Sequence, residues 1–318
     1  PQIDDSHYIS TKNLLRGVMK LKIFGSSFIF VFIFSIPFQA LATNHELSVD
    51  PAKTDSKILQ IKGPHLARWS DGESQKNLLL VSLGGTNSMP ADFREFQETA
   101  VVLGFHGVSI DYPNQVVSTS CRGKNPDCFD HFRQEIVAGD SVSNLIEVNR
   151  SNSIENRIEK LILYLASQDR DQWGPFLCPD SNSKKESVCW DRLVLLGHSQ
   201  GTGHAAFLAK RHEVHGVILV AGPQDGGEAP WLRTKSQTPP ERILFLLHEK
   251  DFFGVDQQLA AAKALLSQKS PSVIYFQNQI DEKSSAQIFV SQLEVGEPHL
   301  DLIKPVFKKT WLSFLERF

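Results

Sequence analysis

The chain carries no block of basic residues. Its 33 lysines and arginines stand against 36 aspartates and glutamates, a formal charge of −3. A nucleic-acid partner is not expected, because phosphate recognition needs a basic face. Gly201-Thr202-Gly203 runs into His204 rather than into a Gly-Lys-[Ser/Thr] ending, so it is not a phosphate loop. Gly84-Gly85 opens no dinucleotide fingerprint. No cofactor is expected. No two of the four cysteines have Cys-x-x-Cys spacing, so no zinc or other metal site is expected. No internal repeat or low-complexity tail is present, and nothing marks a second independent domain.

The main apolar run is confined to the start. Residues 19–42 read MKLKIFGSSFIFVFIFSIPFQALA. Lys20 and Lys22 precede an apolar stretch from Ile23 to Phe38, and Ala40-Leu41-Ala42 is a small-x-small exit. This is the layout of a secretory signal peptide. The run is short for a bilayer span, which needs about 20 residues, so no stable membrane span is expected after cleavage. Met19 is then the expected start, and residues 1–18 are expected not to belong to the native protein. A secreted or periplasmic destination follows. Residues 43–318 are long enough for one large α/β domain.

An oxidising destination makes disulfides plausible for Cys121, Cys128, Cys178 and Cys189. Spacing favours Cys121 with Cys128 and Cys178 with Cys189, each closing a polar loop. Three pairings are formally open, and the sequence does not choose among them. Asn149-Arg150-Ser151 matches a glycosylation sequon.

Strand and helix signals alternate. Apolar runs at 77–83, 107–111, 192–196, 215–220, 243–247, 272–276 and 287–290 read as strands. Helical spacing appears at 91–100, 154–168, 201–210 and 257–266, with Ser153 as an N-cap. Residues 302–318 read as a closing helix broken or capped at Pro305. Apolar strands separated by helices predict a mostly parallel central sheet with helices on both faces. The stretches 112–150 and 223–240 are expected lid or rim segments.

Gly197-His198-Ser199-Gln200-Gly201 is the strongest motif. It matches Gly-x-Ser-x-Gly and lies between a buried strand and a helix. Such a turn is too sharp for bulky residues two before and two after the serine. It exposes the serine oxygen and sets the Gln200 amide at a helix N-terminus, where it can meet a developing oxyanion. A second donor is expected from Gly84-Gly85-Thr86-Asn87, at Gly85 or Thr86.

These residues resemble the α/β-hydrolase superfamily over roughly 75–315. The resemblance implies the order nucleophile, acid, histidine. It selects Ser199 as nucleophile, Asp251 after the 243–247 strand, and His299 in Gly296-Glu297-Pro298-His299. Asp225, after the preceding strand, is the alternative acid, with Glu249 and Asp281 behind it. His299 would take the serine proton and the carboxylate would hold its tautomer. His106, His204 and His215 read as structural, His198 as a packing or pocket-lining residue, and Asp111 as a loop hydrogen-bonding residue with a pocket-edge role as the alternative. Phe252-Phe253 and Trp231 could wall an acyl pocket or simply pack in the core.

The resemblance implies an esterase-like or lipase-like serine hydrolase acting on a small-molecule or lipid ester. A serine peptidase or amidase on the same fold is one alternative. A non-catalytic binding protein on a hydrolase scaffold is the other.

Overall fold

The structure is a computed structural model that describes residues 43–318 apart from 73–74, 126, 180–184, 268–270, 279 and 281–283. The expected leader at 19–42, the segment 1–18 and Asp281 lie outside the described residues.

The strands are β1 (Asn44–Val49), β2 (His65–Ser70), β3 (Leu79–Leu83), β4 (His106–Ile110), β5 (Leu177–Pro179), β6 (Glu186–Val188), β7 (Leu193–His198), β8 (Gly216–Val220), β9 (Ile243–His248), β10 (Val273–Phe276) and β11 (Ile288–Ser291). The helices are α1 (Pro51–Thr54), α2 (Arg94–Val102), α3 (Cys128–Ala138), α4 (Ile154–Gln168), α5 (Arg170–Trp173), α6 (Gln200–Arg211), α7 (Val255–Leu265), α8 (Pro298–Asp301) and α9 (Lys308–Leu315). Nine strands form one sheet in the order β1-β2-β4-β3-β7-β8-β9-β11-β10, and β5 and β6 make a separate hairpin. The sheet is parallel except where β1 meets β2 and β2 meets β4.

The continuous apolar runs have a simple cause. Every residue of β3, β4, β7, β8 and β9 is buried, because helices cover both faces. Alternate side chains enter different cores. Leu79, Val81, Leu195, Val217 and Phe245 pack with the apolar faces of α3, α4, α6 and α7. Leu80, Val194, Leu196, Ile218 and Leu246 pack with Phe96 of α2 and Trp311 and Phe314 of α9.

Several expectations are refined. α4 and its Ser153 cap stand as read, with the Ser153 side chain accepting from the Asn156 amide. The closing segment is in pieces: α8, a 3-10 turn at Pro305–Phe307, then α9. Pro305 therefore starts a helical turn instead of interrupting one long helix. Strands β1 and β2 and helix α3 had no clear apolar pattern. Buried His65 and Arg68 break up β2, and buried Arg133 and Glu135 break up α3.

Both disulfides favoured by spacing are present, Cys121–Cys128 and Cys178–Cys189, with Cα–Cα separations of 5.4 and 5.1 Å. The first ties the 3-10 turn at Ser118–Cys121 to the start of α3, inside the segment 112–150. The second joins β5 to the residue after β6. Among the described residues no helix is long and apolar enough to cross a membrane.

Candidate active site

β3, β7, β9 and β11 release the candidate residues at their carboxyl ends, where open α/β sheets bind ligands. Gly84 follows β3, Ser199 follows β7, Asp251 lies three residues past β9, and His299 sits on α8 after β11.

Ser199 has φ 54° and ψ −124°. A non-glycine residue held there stores about 1–3 kcal/mol of strain, which the surroundings must over-determine. They do so with backbone bonds. The Ser199 amide donates to the Val220 carbonyl at 2.9 Å, and the Ser199 carbonyl accepts from the Thr202 amide at 3.0 Å. Close packing explains the motif's glycines. A Cβ on Gly197 would lie 2.5 Å from the Gly201 carbonyl oxygen, and one on Gly201 would overlap the Leu83 carbonyl.

Ser199, His299 and Asp251 form one hydrogen-bonded line. The Ser199 hydroxyl lies 2.7 Å from His299 Nε2, and His299 Nδ1 lies 2.7 Å from Asp251 Oδ2. All three are buried, with Ser199 the least so at 9% exposure. Burial pushes the Asp251 carboxyl up. The hydrogen bond and charge of His299, with bonds from Gln258 and the Phe253 amide, outweigh it and hold the group below its usual value. An ionised Asp251 can only accept, so Nδ1 carries the proton and Nε2 is left to receive the serine proton. The arrangement resembles a Ser-His-Asp catalytic triad.

Asp225 lies elsewhere. It forms an ion pair with Arg133, both side chains fully buried, and accepts from Trp231 Nε1 at 2.9 Å. Trp231 is thus a buried packing residue that caps this pair. Arg133 also donates to the Gln200 carbonyl at 2.9 Å. Glu249 accepts from Gln292 at the surface.

The loop after β3 is held from behind. Asn114 Nδ2 donates to the Gly85 carbonyl at 2.8 Å, and the Tyr112 hydroxyl donates to the Gly84 carbonyl. A Cβ on Gly85 would meet the Ser199 Cβ at 2.7 Å, so this loop lies directly against the serine. The Gly85 amide donates to Ser88 Oγ at 3.0 Å. The Thr86 hydroxyl donates to Gln200 Oε1 at 3.0 Å, and the Ser118 amide donates to the same oxygen at 2.7 Å. One side chain thus links the two expected oxyanion segments.

His198 has a part that its sequence position does not reveal. Its Nε2 donates to the His299 carbonyl at 3.0 Å, tying the late histidine loop to the serine turn. Burial, with His299 beside it, lowers its pKa to about 4, so it is neutral at pH 7 and a weak proton acceptor. His106 packs on Trp173 and Phe176, and His204 packs between Tyr112 and Phe132. Asp111 accepts from Arg157 at 3.2 Å and from the Lys62 amide at 3.3 Å, a loop-holding role.

Among the described residues one group of side chains offers metal-ligand spacing, Cys178, Cys189 and Asp191. Its two sulfurs are bonded to each other and offer no thiolate.

No protein-family model matches this chain, and no curated protein sequence matches it. Among solved structures, TT1662 from Thermus thermophilus is similar at 18% identity and a TM-score of 0.42, covering 82% of this chain and 96% of its own.

Proposed function

We propose that this chain is a secreted or periplasmic serine hydrolase of the α/β-hydrolase superfamily that cleaves carboxylic esters through an acyl-enzyme on Ser199. The observation that carries the reading is the line Ser199 Oγ, His299 Nε2, His299 Nδ1 and Asp251 Oδ2, with 2.7 Å at each link. His299 takes the hydroxyl proton as Ser199 attacks the ester carbon, then gives it to the departing alcohol. A water molecule loses its proton to His299 in the second half, and the acyl group leaves as the acid. Asp251 keeps the imidazole in the required tautomer and stabilises its charged form.

The Gln200 and Thr86 amides are the proposed oxyanion donors. Gln200 opens α6, where orphan amides and the helix dipole favour negative charge. Thr86 is preferred to Gly85 because the Gly85 amide is already committed to Ser88 Oγ. The chemistry uses no cofactor or metal, and a nucleic-acid partner is not part of the reading. The substrate is a small-molecule or lipid ester. Export is supported by the leader pattern of residues 19–42 and by two disulfides. Residues 43–318 are read as a single domain, with 112–150 and 223–240 as its rims.

The test is hydrolysis of p-nitrophenyl esters from acetate to palmitate, with fluorophosphonate labelling, beside Ser199→Ala and His299→Ala. The expected result is turnover and labelling in the wild type, both lost in Ser199→Ala. A wild type that neither turns over nor labels at Ser199 overturns the reading.

A further inference from the structure

We infer that Phe252 and Phe253 select the alcohol half of the substrate, and that this half carries an aromatic group. The inference rests on the serine-hydrolase reading above and deepens it. Phe252 is 69% exposed, although it belongs to the turn that holds the acid of the triad-like line. Its ring centroid lies 4.4 Å from that of Phe253, and each lies 4.9 Å from the His299 ring. Isolated exposed apolar residues need no explanation, but two aromatic rings gathered on one candidate catalytic ring do.

The turn is built to hold this position. The Phe253 amide donates to Asp251 Oδ1 at 2.9 Å, and the Gly254 amide donates to the Asp251 carbonyl at 2.9 Å. Gly254 has φ 89°, a conformation that ends the turn before α7 and suits glycine. The aromatic pair and the carboxylate are therefore fixed by the same short segment.

The chemistry says which half of the ester meets that surface. Ser199 Oγ forms a bond to the ester carbonyl carbon, and the bond from that carbon to the alcohol oxygen breaks with its electron pair going to oxygen. The proton that His299 took from Ser199 passes to that oxygen, and the alcohol leaves neutral. The alcohol oxygen must then lie within hydrogen-bond reach of His299 Nε2. Its substituent extends past the histidine ring. On one side that ring meets His198, which is buried at 2% exposure. It also meets the Phe252 and Phe253 rings, and Phe252 is the exposed member of the group. Aromatic faces favour offset or edge-on contact with a further ring and give no partner to an anionic or strongly hydrated group.

The experiment compares benzyl acetate with methyl acetate, and methyl acetate with methyl hexanoate, in wild type, Phe252→Leu and Phe252→Ser. The first pair varies the alcohol at constant acyl group, and the second varies the acyl group at constant alcohol. Phe252 is exposed, so both substitutions leave the core untouched. The wild type is expected to prefer benzyl over methyl acetate in kcat/KM by about tenfold or more. Phe252→Ser is expected to lower that ratio about tenfold, mainly through KM, with Phe252→Leu between. The ratio of hexanoate to acetate is expected to hold in all three. A changed hexanoate ratio with an unchanged benzyl ratio assigns the surface to the acyl half and overturns the inference. Two unchanged ratios overturn it as well. Failure of Ser199 to label or turn over any ester is a different result, for it removes the serine-hydrolase reading itself and this inference with it.

Discussion

Replacing Gly85 by alanine adds one methyl group at the most crowded point of the candidate site. The new Cβ would stand 2.7 Å from the Ser199 Cβ and 3.2 Å from its Oγ. Carbon atoms in contact prefer about 3.5–4.0 Å, so the two backbones must separate by close to 1 Å. Neither yields readily. Ser199 is pinned by the Val220 carbonyl and the Thr202 amide, and Gly85 by Asn114 and Ser88. Overpacking of this kind costs about 1–3 kcal/mol of stability. The larger effect falls on rate. A misplacement of about 1 Å between a nucleophile and its oxyanion donor costs about 100-fold, and loss of one donor costs about 100- to 1000-fold. Gly85→Ala is therefore expected to fold and to lose about 100-fold in kcat/KM. Single-turnover acylation with p-nitrophenyl acetate and the rate of fluorophosphonate labelling should slow together. Gly107→Ala in β4 is the control, since its Cβ would press on the Gln97 side chain at 3.1 Å, away from Ser199. It should cost less stability and leave the rate near wild type. A folded Gly85→Ala with kcat/KM within about threefold of wild type would refute the argument from packing.

His198→Ala removes the donor to the His299 carbonyl; kcat is expected to fall about tenfold with little change in KM, and His198→Gln should recover part of it. Equal losses in the alanine and glutamine variants would count against a positioning role. Asp251→Asn is expected to lower kcat by about 10,000-fold in a folded protein. Asp225→Asn should instead lower the denaturation midpoint, because it leaves Arg133 buried without its charged partner, worth about 3–5 kcal/mol; the reverse pattern would make Asp225 the acid. Acidification should destabilise the fold between about pH 6.5 and 4 through its buried neutral histidines. Burial, with Arg157 nearby, lowers the His65 pKa to about 3, and burial with His299 nearby lowers that of His198 to about 4. The unfolded chain binds these protons first, so stability rises with pH across that window and falls as pH drops. Each group should cost about 2 kcal/mol between pH 7 and pH 5, read from denaturant midpoints; a flat profile would sink this account. Asp251, held below its usual value, adds its loss only below about pH 4.

The central strands were legible because helices bury them on both faces, which leaves runs such as Leu193 to Leu196 almost wholly apolar. The serine turn was legible for a different reason. Gly197 and Gly201 are required by backbone contacts a few residues away, so a local pattern records a local constraint. β2 and α3 escaped notice because their buried faces include charge. Arg68 is matched by Glu46 and Gln97, Arg133 by Asp225, and Glu135 by the amides of Val142, Ser143 and Val148. Hydropathy scores such residues as exposed, and only their distant partners make them interior.

The same reasoning explains why the sequence leaves both Asp251 and Asp225 open as partners for His299. Both follow parallel strands of one sheet, and both end buried at 5% exposure. What separates them is the partner each finds. Asp225 meets a guanidinium that arrives on α3, the helix that the apolar pattern did not reveal. That pairing occupies both of its oxygens, with Trp231 on one of them. Asp251 meets no guanidinium. It is held by the Phe253 amide and Gln258, which leave Oδ2 able to accept from His299 as well. A carboxylate already matched by arginine has little left to offer an imidazole, whereas one held by neutral donors keeps its charge for an imidazole beside it. Which carboxylate reaches His299 is therefore a property of α3 as much as of the turn after β9. For that reason, exchanging the Arg133–Asp225 pair for apolar residues should leave the Asp251–His299 bond intact, and a double variant that folds should keep the labelling of Ser199.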